Sequence, residues 1–407
     1  MSLQFLSDKE SLPSQSHPAP VVAVCWVSSA SSSSQGVILS GDCQGNVKVF
    51  DAHSALAFRN PPKPHRNAVH CISTNDVGSI ALSNAIDGTI ALWDLIPFRA
   101  SKVVDDSSGN VGEADAVTQE PALLPLPVDD PEALLLGTID SLTSHSDAQT
   151  KLSEAWKTAL HPSAPLFAAI GAGARVSLHA LPRATDSTVF GTTLSVAPLS
   201  NAPKDAFGLS LAFHPSGTLL AVGTNTGQVL LYTLDSASTL TLVSTYLDHP
   251  SPIRVLSFTQ HLLLCGSDDR TISVHDVKPI LSPQQTSMFA RDAPRIGATV
   301  ASLSGHKGWV LDLASPASGE SNVFASIAAD KSIKFWDLAS PTKSTPVWNG
   351  GETQPIAAFC FQPRPVDSAE GDGVPDAPSV ATSSSMTRFV TASQDGRLRW
   401  YRGAGLG

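Results

Sequence analysis

Four residues in the C-terminal half of the chain have the side-chain types of a hydrolytic active site. His306, Ser326, Asp330 and Trp336 lie within one segment. A His, a Ser and an Asp can together activate a hydroxyl group for nucleophilic attack. The same groups can instead form a buried hydrogen-bond network that fixes a turn between strands. Their spacing along the rest of the chain distinguishes the two, because a catalytic set occurs once whereas a structural element recurs.

The spacing recurs. His65, Ser83, Asp87 and Trp93 repeat it, with four residues from Ser to Asp and six from Asp to Trp in both copies. Three further segments keep the register with substitutions: His249, Cys265, Asp269 and His275; His17, Ser40, Gln44 and Phe50; Thr391, Asp395 and Tyr401. Weaker copies over 154–181 and 206–234 bring the total to seven, with Lys151 in the loop-His register of the third. We therefore interpret the set as a structural network and predict no catalytic residue.

Each copy predicts short strands joined by tight turns such as DGT, TGQ and DGR. A self-similar unit of roughly 40 residues that ends near Trp-Asp is typical of a β-propeller with four-stranded blades. The motifs Gly305-His306, Trp336-Asp337 and Trp93-Asp94 resemble the WD-repeat family. The predicted fold is all-β: a single seven-bladed WD-repeat β-propeller over residues 1–407. Residues 1–10 are expected to close it by supplying the outer strand of the last blade, since a closed ring leaves no free sheet edge.

Three segments interrupt the repeats at 28–34, 96–150 and 365–386. Between residues 103 and 150 the chain has ten Asp or Glu and no Lys or Arg. We expect 96–131 to be an acidic disordered insertion followed by an outer strand, and 365–386 to be a disordered loop in blade seven. All three are expected on one face of the propeller, which leaves the other, top face clear for partners.

Composition excludes several classes of function. The formal net charge is −10, which argues against direct binding of nucleic acid. The five cysteines show no CxxC spacing and predict free thiols in a reducing compartment, so neither a metal nor a cofactor is predicted. No apolar run approaches 18 residues, which predicts no membrane contact. The expected location is the cytoplasm, with the nucleus as a second possibility.

Interaction residues are predicted where each blade's first strand begins. These positions include Trp156, Phe207, Arg254 and Trp309, and Trp and Arg are the types that anchor interfaces. Asp312 and Lys157 are polar neighbours that could orient a partner. The alternative for each aromatic residue is ordinary packing between adjacent blades.

Longer phrases narrow the resemblance. SEAWKTALHP, SPIRVLSF, LSGHKGWVLDLA and ADKSIKFWDL are similar to successive blades of the WD-repeat subunit of the Ski (superkiller) complex. This resemblance implies a non-catalytic scaffold, monomeric outside the complex, that binds short partner segments on its top face. Its partners would be a tetratricopeptide-repeat subunit and a DExH-box RNA helicase acting in 3′-to-5′ messenger RNA decay by the exosome. Some relatives also act in the nucleus, in meiotic recombination.

Two different functions remain open beside this one. The first is a WD-repeat adaptor of a ubiquitin ligase or of a chromatin or transcription complex. The second is a propeller enzyme, which would need convergent catalytic groups in the central channel. The sequence has no HExxH, GxSxG or Walker motif that would supply them.

Overall fold

A computed structural model describes residues 5–27, 36–59, 61–75, 77–100, 121–140, 155–182, 190–200, 203, 205–281, 299–316, 323–339, 345–363 and 388–403. Within these ranges the chain forms 27 strands, arranged in seven antiparallel sheets. These sheets are the seven blades of a β-propeller, which confirms the predicted fold class. Strands dominate because apolar residues occur in short runs that tight turns separate.

The blades follow one another along the chain. Six of the seven sheets have four strands and the sheet of blade one has three. Blade one contains β2 (Val21–Val27), β3 (Val37–Asp42) and β4 (Val47–Asp51). Blade two contains β5 (Val69–Thr74), β6 (Ile80–Ala85), β7 (Thr89–Asp94) and β8 (Leu135–Asp140). Blade three contains β9 (Ala155–Leu160), β10 (Leu166–Gly171), β11 (Arg175–Ala180) and β12 (Thr193–Pro198). Blade four contains β13 (Gly208–Phe213), β14 (Leu219–Thr224), β15 (Val229–Leu234) and β16 (Leu240–Tyr246).

The remaining blades repeat this arrangement. Blade five contains β17 (Ile253–Phe258), β18 (Leu262–Ser267), β19 (Thr271–Asp276) and β20 (Thr299–Ser304). Blade six contains β21 (Val310–Ala314), β22 (Val323–Ala328), β23 (Ser332–Asp337) and β24 (Trp348–Gly351). Blade seven contains β25 (Ile356–Phe361), β26 (Phe389–Ser393), β27 (Leu398–Gly403) and the N-terminal β1 (Phe5–Glu10). Two short α-helices, α1 (Ile96–Ala100) and α2 (Lys278–Leu281), and a 3₁₀ helix (Pro131–Leu134) lie between strands.

The first strands of the blades form the inner ring. Each contacts the first strand of the next blade, and β25 contacts β2 to complete the circle. Seven clusters of buried apolar side chains fill the space between blades, one at each junction. The core is therefore divided among the seven junctions, and the blades depend on one another for burial.

The N-terminal strand closes the ring as predicted. β1 pairs with β27 in antiparallel register from Phe5 opposite Gly403 to Glu10 opposite Arg399. The Phe5 ring stacks on Phe335 of blade six with centroids 4.3 Å apart, so closure buries an aromatic side chain as well as a sheet edge. Residues 1–4 of the predicted closing segment lie outside the described residues.

Part of the long insertion is ordered, which corrects the expectation of disorder over 96–131. Residues 96–100 form α1, and Leu124 is bound to blade one: its N–H donates to Ala57 O at 2.9 Å and its carbonyl accepts from Arg59 N at 2.8 Å. Leu124 and Leu126 pack on the core between blades one and two. Apolar residues near the end of the acidic segment thus gain burial on the blade that lacks a fourth strand. Residues 101–120, and the predicted loops 28–34 and 365–386, lie outside the described residues.

The face at which the first strands begin is called the top face below. The described part of the chain contains no helix long and apolar enough to cross a membrane. All five cysteines are free thiols, and among them Cys43 is exposed.

Candidate functional site: buried networks and the top-face ring

Blade six contains the polar network that the spacing predicted. His306 Nε2 and Ser326 Oγ lie 2.7 Å apart, and Trp336 Nε1 donates to the same Oγ at 2.7 Å. On the other side of the ring, His306 Nδ1 lies 3.0 Å from Ser332 Oγ and 3.4 Å from Asp330 Oδ2. Ser326 is completely buried and its hydroxyl already has two partners. A substrate carbonyl cannot reach it, so this Ser/His/Asp set is structural.

Blade two has the same network. His65 Nε2 and Trp93 Nε1 reach Ser83 Oγ at 2.6 and 2.8 Å. His65 Nδ1, however, contacts Thr89 Oγ1 at 2.6 Å, and that hydroxyl donates to Asp87 Oδ1 at 2.6 Å. Thr89 therefore connects the Asp to the His. Ser332 of blade six is likewise a hydroxyl residue two positions after the turn Asp. This hydroxyl is a sequence signal that the spacing rule did not include.

Blade one corrects the assignment of Gln44. His17 Nδ1 lies 3.0 Å from Asp42 Oδ2, and His17 Nε2 lies 2.7 Å from Ser40 Oγ. Asp42 is fully buried and also accepts from the N–H groups of Gln44 and Asn46, both at 2.9 Å. The turn Asp of this blade thus lies two residues earlier than the spacing predicts. Its carboxylate still accepts hydrogen bonds from the turn and still contacts the His.

Blade five corrects the assignment of Cys265. His249 Nε2 lies 2.8 Å from Ser273 Oγ, and the same hydroxyl lies 2.8 Å from His275 Nε2. Cys265 and Ser273 are directly opposite each other in the β18–β19 register. A hydroxyl on either strand can therefore occupy the same space, so the neighbouring strand supplies it here. Blade three shows the same exchange, with Ser177 Oγ 2.8 Å from His179 Nε2; its predicted loop residue Lys151 lies outside the described residues.

Blade seven uses a carboxylate where other blades use the loop His. Glu352 accepts hydrogen bonds from Thr391 Oγ1 at 2.5 Å, Ser393 Oγ at 2.6 Å and Tyr401 OH at 2.9 Å. Arg399 Nη1 also donates to Glu352, at 2.9 Å. The Glu352 side chain is only 3% exposed. Sequence reasoning missed Glu352, although a signal exists: it precedes its first strand by four residues, as do His17, His65, His249 and His306.

Burial sets the protonation of these networks. Burial lowers the pKa of both His65 and His306 to about 4, against the smaller opposing effect of Asp87 and Asp330 respectively. Burial raises the pKa of Asp330, but hydrogen bonds from Ser332 and from the Lys307 N–H outweigh it, so the net pKa is lowered. At neutral pH the network therefore contains a neutral His and an ionised Asp.

A β-bulge opens the first strand of every blade, always between its first and third residues. A bulge turns one side chain out of the alternating pattern of its strand. In all seven blades the first residue is buried whereas the bulged residue is half-buried or exposed. The bulged residues are Val22, His70, Trp156, Leu209, Arg254, Leu311 and Ala357. We call these seven positions the top-face ring.

The structure arranges the four predicted interaction residues as two pairs. Trp156 and Arg254 are ring residues, whereas Phe207 and Trp309 directly precede the first strands of blades four and six. The Trp156 and Phe207 rings meet edge to face with centroids 5.1 Å apart, and both are half-buried. Packing between blades three and four therefore accounts for part of their surface, in keeping with ordinary packing between adjacent blades.

The second pair is more open to solvent. The Arg254 guanidinium lies over the Trp309 ring, 5.0 Å from its centroid, and Trp309 is 51% exposed. Arg254 is also bound to Asp268 through two hydrogen bonds, Nη2 to Oδ2 at 2.9 Å and Nε to Oδ1. The cation and the indole are thus held in place before any partner arrives, which lowers the entropy cost of binding.

Asp312 has a different role from the one predicted. Its two carboxylate oxygens accept from the N–H of Leu313 at 2.9 Å and of Phe359 in blade seven at 3.0 Å. Burial raises the pKa of Asp312 to about 6, although the charge of Lys157 and the two main-chain bonds oppose the rise. Both carboxylate oxygens of Asp312 are therefore used in main-chain hydrogen bonds, one of which links blade six to blade seven.

The opposite face has a groove of about 860 Å³ between blades four, five and six. Its walls include His214, Phe258, His261 and Leu281. The described residues contain no group of three or more side chains suited to hold a metal ion.

Comparison with known proteins finds a known repeat in three parts of the chain. Three segments match the family described as "WD domain, G-beta repeat": residues 61–94, 240–276 and 297–337. They contain the first three strands of blades two, five and six. The last two matches start in the outer strand of the preceding blade or just before it. One sequence repeat therefore contains the outer strand of one blade and the first three strands of the next.

Curated relatives match at low identity over most of the chain. Echinoderm microtubule-associated protein-like 2 from Rattus norvegicus is 25% identical over 378 residues, which cover 90% of this chain and 52% of that protein. Echinoderm microtubule-associated protein-like 3 from Homo sapiens is 26% identical over 76% of this chain and 32% of its own length. A WD repeat-containing protein 55 homolog from Aedes aegypti is 39% identical over 20% of this chain and 18% of its own length.

The chain spans about half the length of the first of these relatives and about a third of the second. Propellers built from WD repeats are generally non-catalytic interaction scaffolds. The chain is thus a seven-bladed β-propeller, and three of its segments match the WD-repeat family.

Proposed function

We propose that the protein is a non-catalytic scaffold that binds segments of partner proteins on its top-face ring. The observation that carries this proposal is the bulge in all seven first strands, which presents one accessible side chain per blade next to a buried one. A circle of outward side chains on a rigid frame suits the recognition of extended peptide segments.

The partners we propose are those of the Ski complex. The support is the coincidence between the phrases that resemble its WD-repeat subunit and the residues of the ring. SEAWKTALHP contains the ring residue Trp156 and SPIRVLSF contains the ring residue Arg254. LSGHKGWVLDLA contains the ring residue Leu311 and the neighbouring Trp309. On this proposal the chain binds a tetratricopeptide-repeat subunit and helps to dock a DExH-box RNA helicase for 3′-to-5′ messenger RNA decay by the exosome. It would act in the cytoplasm, with a nuclear role in meiotic recombination as a further part of the proposal.

A second candidate comes from the names of the relatives. Several are called echinoderm microtubule-associated proteins, and one such alignment covers 90% of this chain. Association with microtubules is therefore the competing function. Adaptor subunits of a ubiquitin ligase or of a chromatin complex use the same fold, so these two functions compete with the proposal as well.

Affinity purification from the protein's own cells, followed by mass spectrometry, tests the proposal. A tagged wild-type chain should recover a large tetratricopeptide-repeat protein and a DExH-box helicase in constant ratio. Trp309→Ala should lose both, whereas Val77→Ala, a similarly exposed apolar residue outside the ring, should keep them. Recovery of tubulin, of a cullin-type ligase or of chromatin subunits instead would replace the proposed function by the matching competitor.

A further inference from the structure

Lys157 is an unpaired cation at the top-face ring. It follows the ring residue Trp156 directly in β9, and its side chain is half-buried. Among the residues that the structure describes, the Lys157 ammonium group has no hydrogen bond and no ion pair. The charge of Lys157 instead acts at a distance, on the carboxyl group of Asp312 and on the ring of His70.

His70 of blade two contacts the main chain of blade three one residue before Lys157. His70 Nδ1 lies 2.8 Å from Trp156 O, so this nitrogen is the donor and Nε2 carries the free lone pair of the neutral ring. Burial lowers the pKa of His70, and the positive charges of Lys157 and, less strongly, Arg254 lower it further. Blades two, three and five thus bring three basic groups to one part of the ring.

The neighbouring acids are already engaged. Asp268 is bound to Arg254, and Asp312 accepts two main-chain N–H groups. Lys157 is therefore the basic group that remains available to an incoming anion. The Trp156 and Phe207 rings, the first of which belongs to the residue before Lys157 in β9, supply an apolar surface.

We propose that Lys157 binds a carboxylate of the partner segment while an apolar or aromatic side chain next to that carboxylate packs on Trp156 and Phe207. This inference rests on the proposed function and names the chemistry of its partner. The ammonium group would donate a charge-assisted hydrogen bond, and His70 would stand beside the bound anion. A carboxylate at the end of a chain and an Asp or Glu side chain would both satisfy this chemistry.

Three small probes test the proposal without knowledge of the partner. N-acetyl-L-tryptophan has a terminal carboxylate and an indole, N-acetyl-L-tryptophanamide has the indole alone, and N-acetyl-L-aspartyl-L-tryptophanamide has a side-chain carboxylate. Binding is measured on the full chain from the NMR signal of the His70 ring, which His70→Gln assigns. Lys157→Met is compared with Lys307→Met, which removes an exposed cation from the same face.

Wild-type protein should bind a carboxylate probe about tenfold more tightly than the amide, and Lys157→Met should abolish this difference. Lys307→Met should retain it. Tighter binding of the terminal acid than of the aspartyl probe would identify a chain end as the source, and tighter binding of the aspartyl probe would identify a side chain. Equal affinities for acid and amide in the wild type, or equal losses in both variants, would overturn the carboxylate site. Loss of partners in Trp309→Ala would still support the scaffold in that case, so the two proposals fail separately.

Discussion

Replacement of Glu352 should reveal how blade seven is held together. The carboxylate is 3% exposed and receives four donors, from Thr391, Ser393, Tyr401 and Arg399. Glu352→Ala leaves three hydroxyl groups and one guanidinium arm without this acceptor. Breaking a buried charge pair costs about 3–5 kcal/mol. Because Arg399 keeps Asp395 and Glu10 as partners, we expect a loss near the lower end, about 3 kcal/mol.

Glu352→Gln should cost less, about 1–3 kcal/mol, because the amide keeps one acceptor oxygen and the hydroxyl groups can rotate. Glu10→Gln is the matched control: Glu10 also binds Arg399 but is 39% exposed, so its loss should stay within about 1 kcal/mol. The assay is urea unfolding followed by tryptophan fluorescence, to which Trp400 of the same blade contributes. Hydrogen exchange of β26 and β27 should show faster opening in Glu352→Ala. Equal midpoints for wild type and Glu352→Ala would refute the claim that this carboxylate holds the blade.

Three further predictions concern stability, pH and binding. Asp330→Ala should destabilise the protein by about 1–3 kcal/mol through loss of acceptors for Ser332 and the Lys307 N–H, and an unchanged urea midpoint would contradict this. The pKa of His65 and His306 in the folded state is depressed to about 4, so their contribution to stability is present above pH 6.5 and is lost as pH falls from 6.5 through 4. The pKa of Asp312 is raised from 3.8 to about 6, so its contribution to stability has the opposite sign and is lost as pH rises from 3.8 through 6. Asp312→Asn removes this contribution, so the loss of stability at acid pH, measured by unfolding at each pH, should become steeper. Arg254→Glu should leave the melting temperature within a few degrees of the wild type and reduce partner recovery, and normal recovery at normal stability would exclude Arg254 from the interface.

The periodic part of the structure could be predicted from the sequence. Seven blades, the closing N-terminal strand and the complete sets in blades two and six follow from spacing alone, since each copy repeats one local solution to the burial of polar groups. The spacing predicted the wrong residue where a side chain from another sequence position can occupy the same space. Asp42 replaced Gln44 within one turn, and Ser273 replaced Cys265 from the opposite strand.

Contacts between blades were harder to predict. The Trp156–Phe207 and Arg254–Trp309 pairs join residues from neighbouring blades, and the geometry of those junctions depends on how complete sheets pack. The bulges add a second difficulty, because one extra residue in a strand reverses which side chains face outward. Lys157 and Asp312, both at the third position of their strands, illustrate the result: the Lys157 ammonium group is unpaired at the ring among the described residues, whereas Asp312 is bound to the next blade.

The top-face interface can be tested by hydrogen exchange of the purified assembly, compared with that of the free propeller. We predict slower exchange in the complex at the starts of the first strands of blades three, five and six, around Trp156, Arg254 and Trp309. Protection confined to the opposite face, in the groove lined by His214, Phe258 and His261, would contradict it.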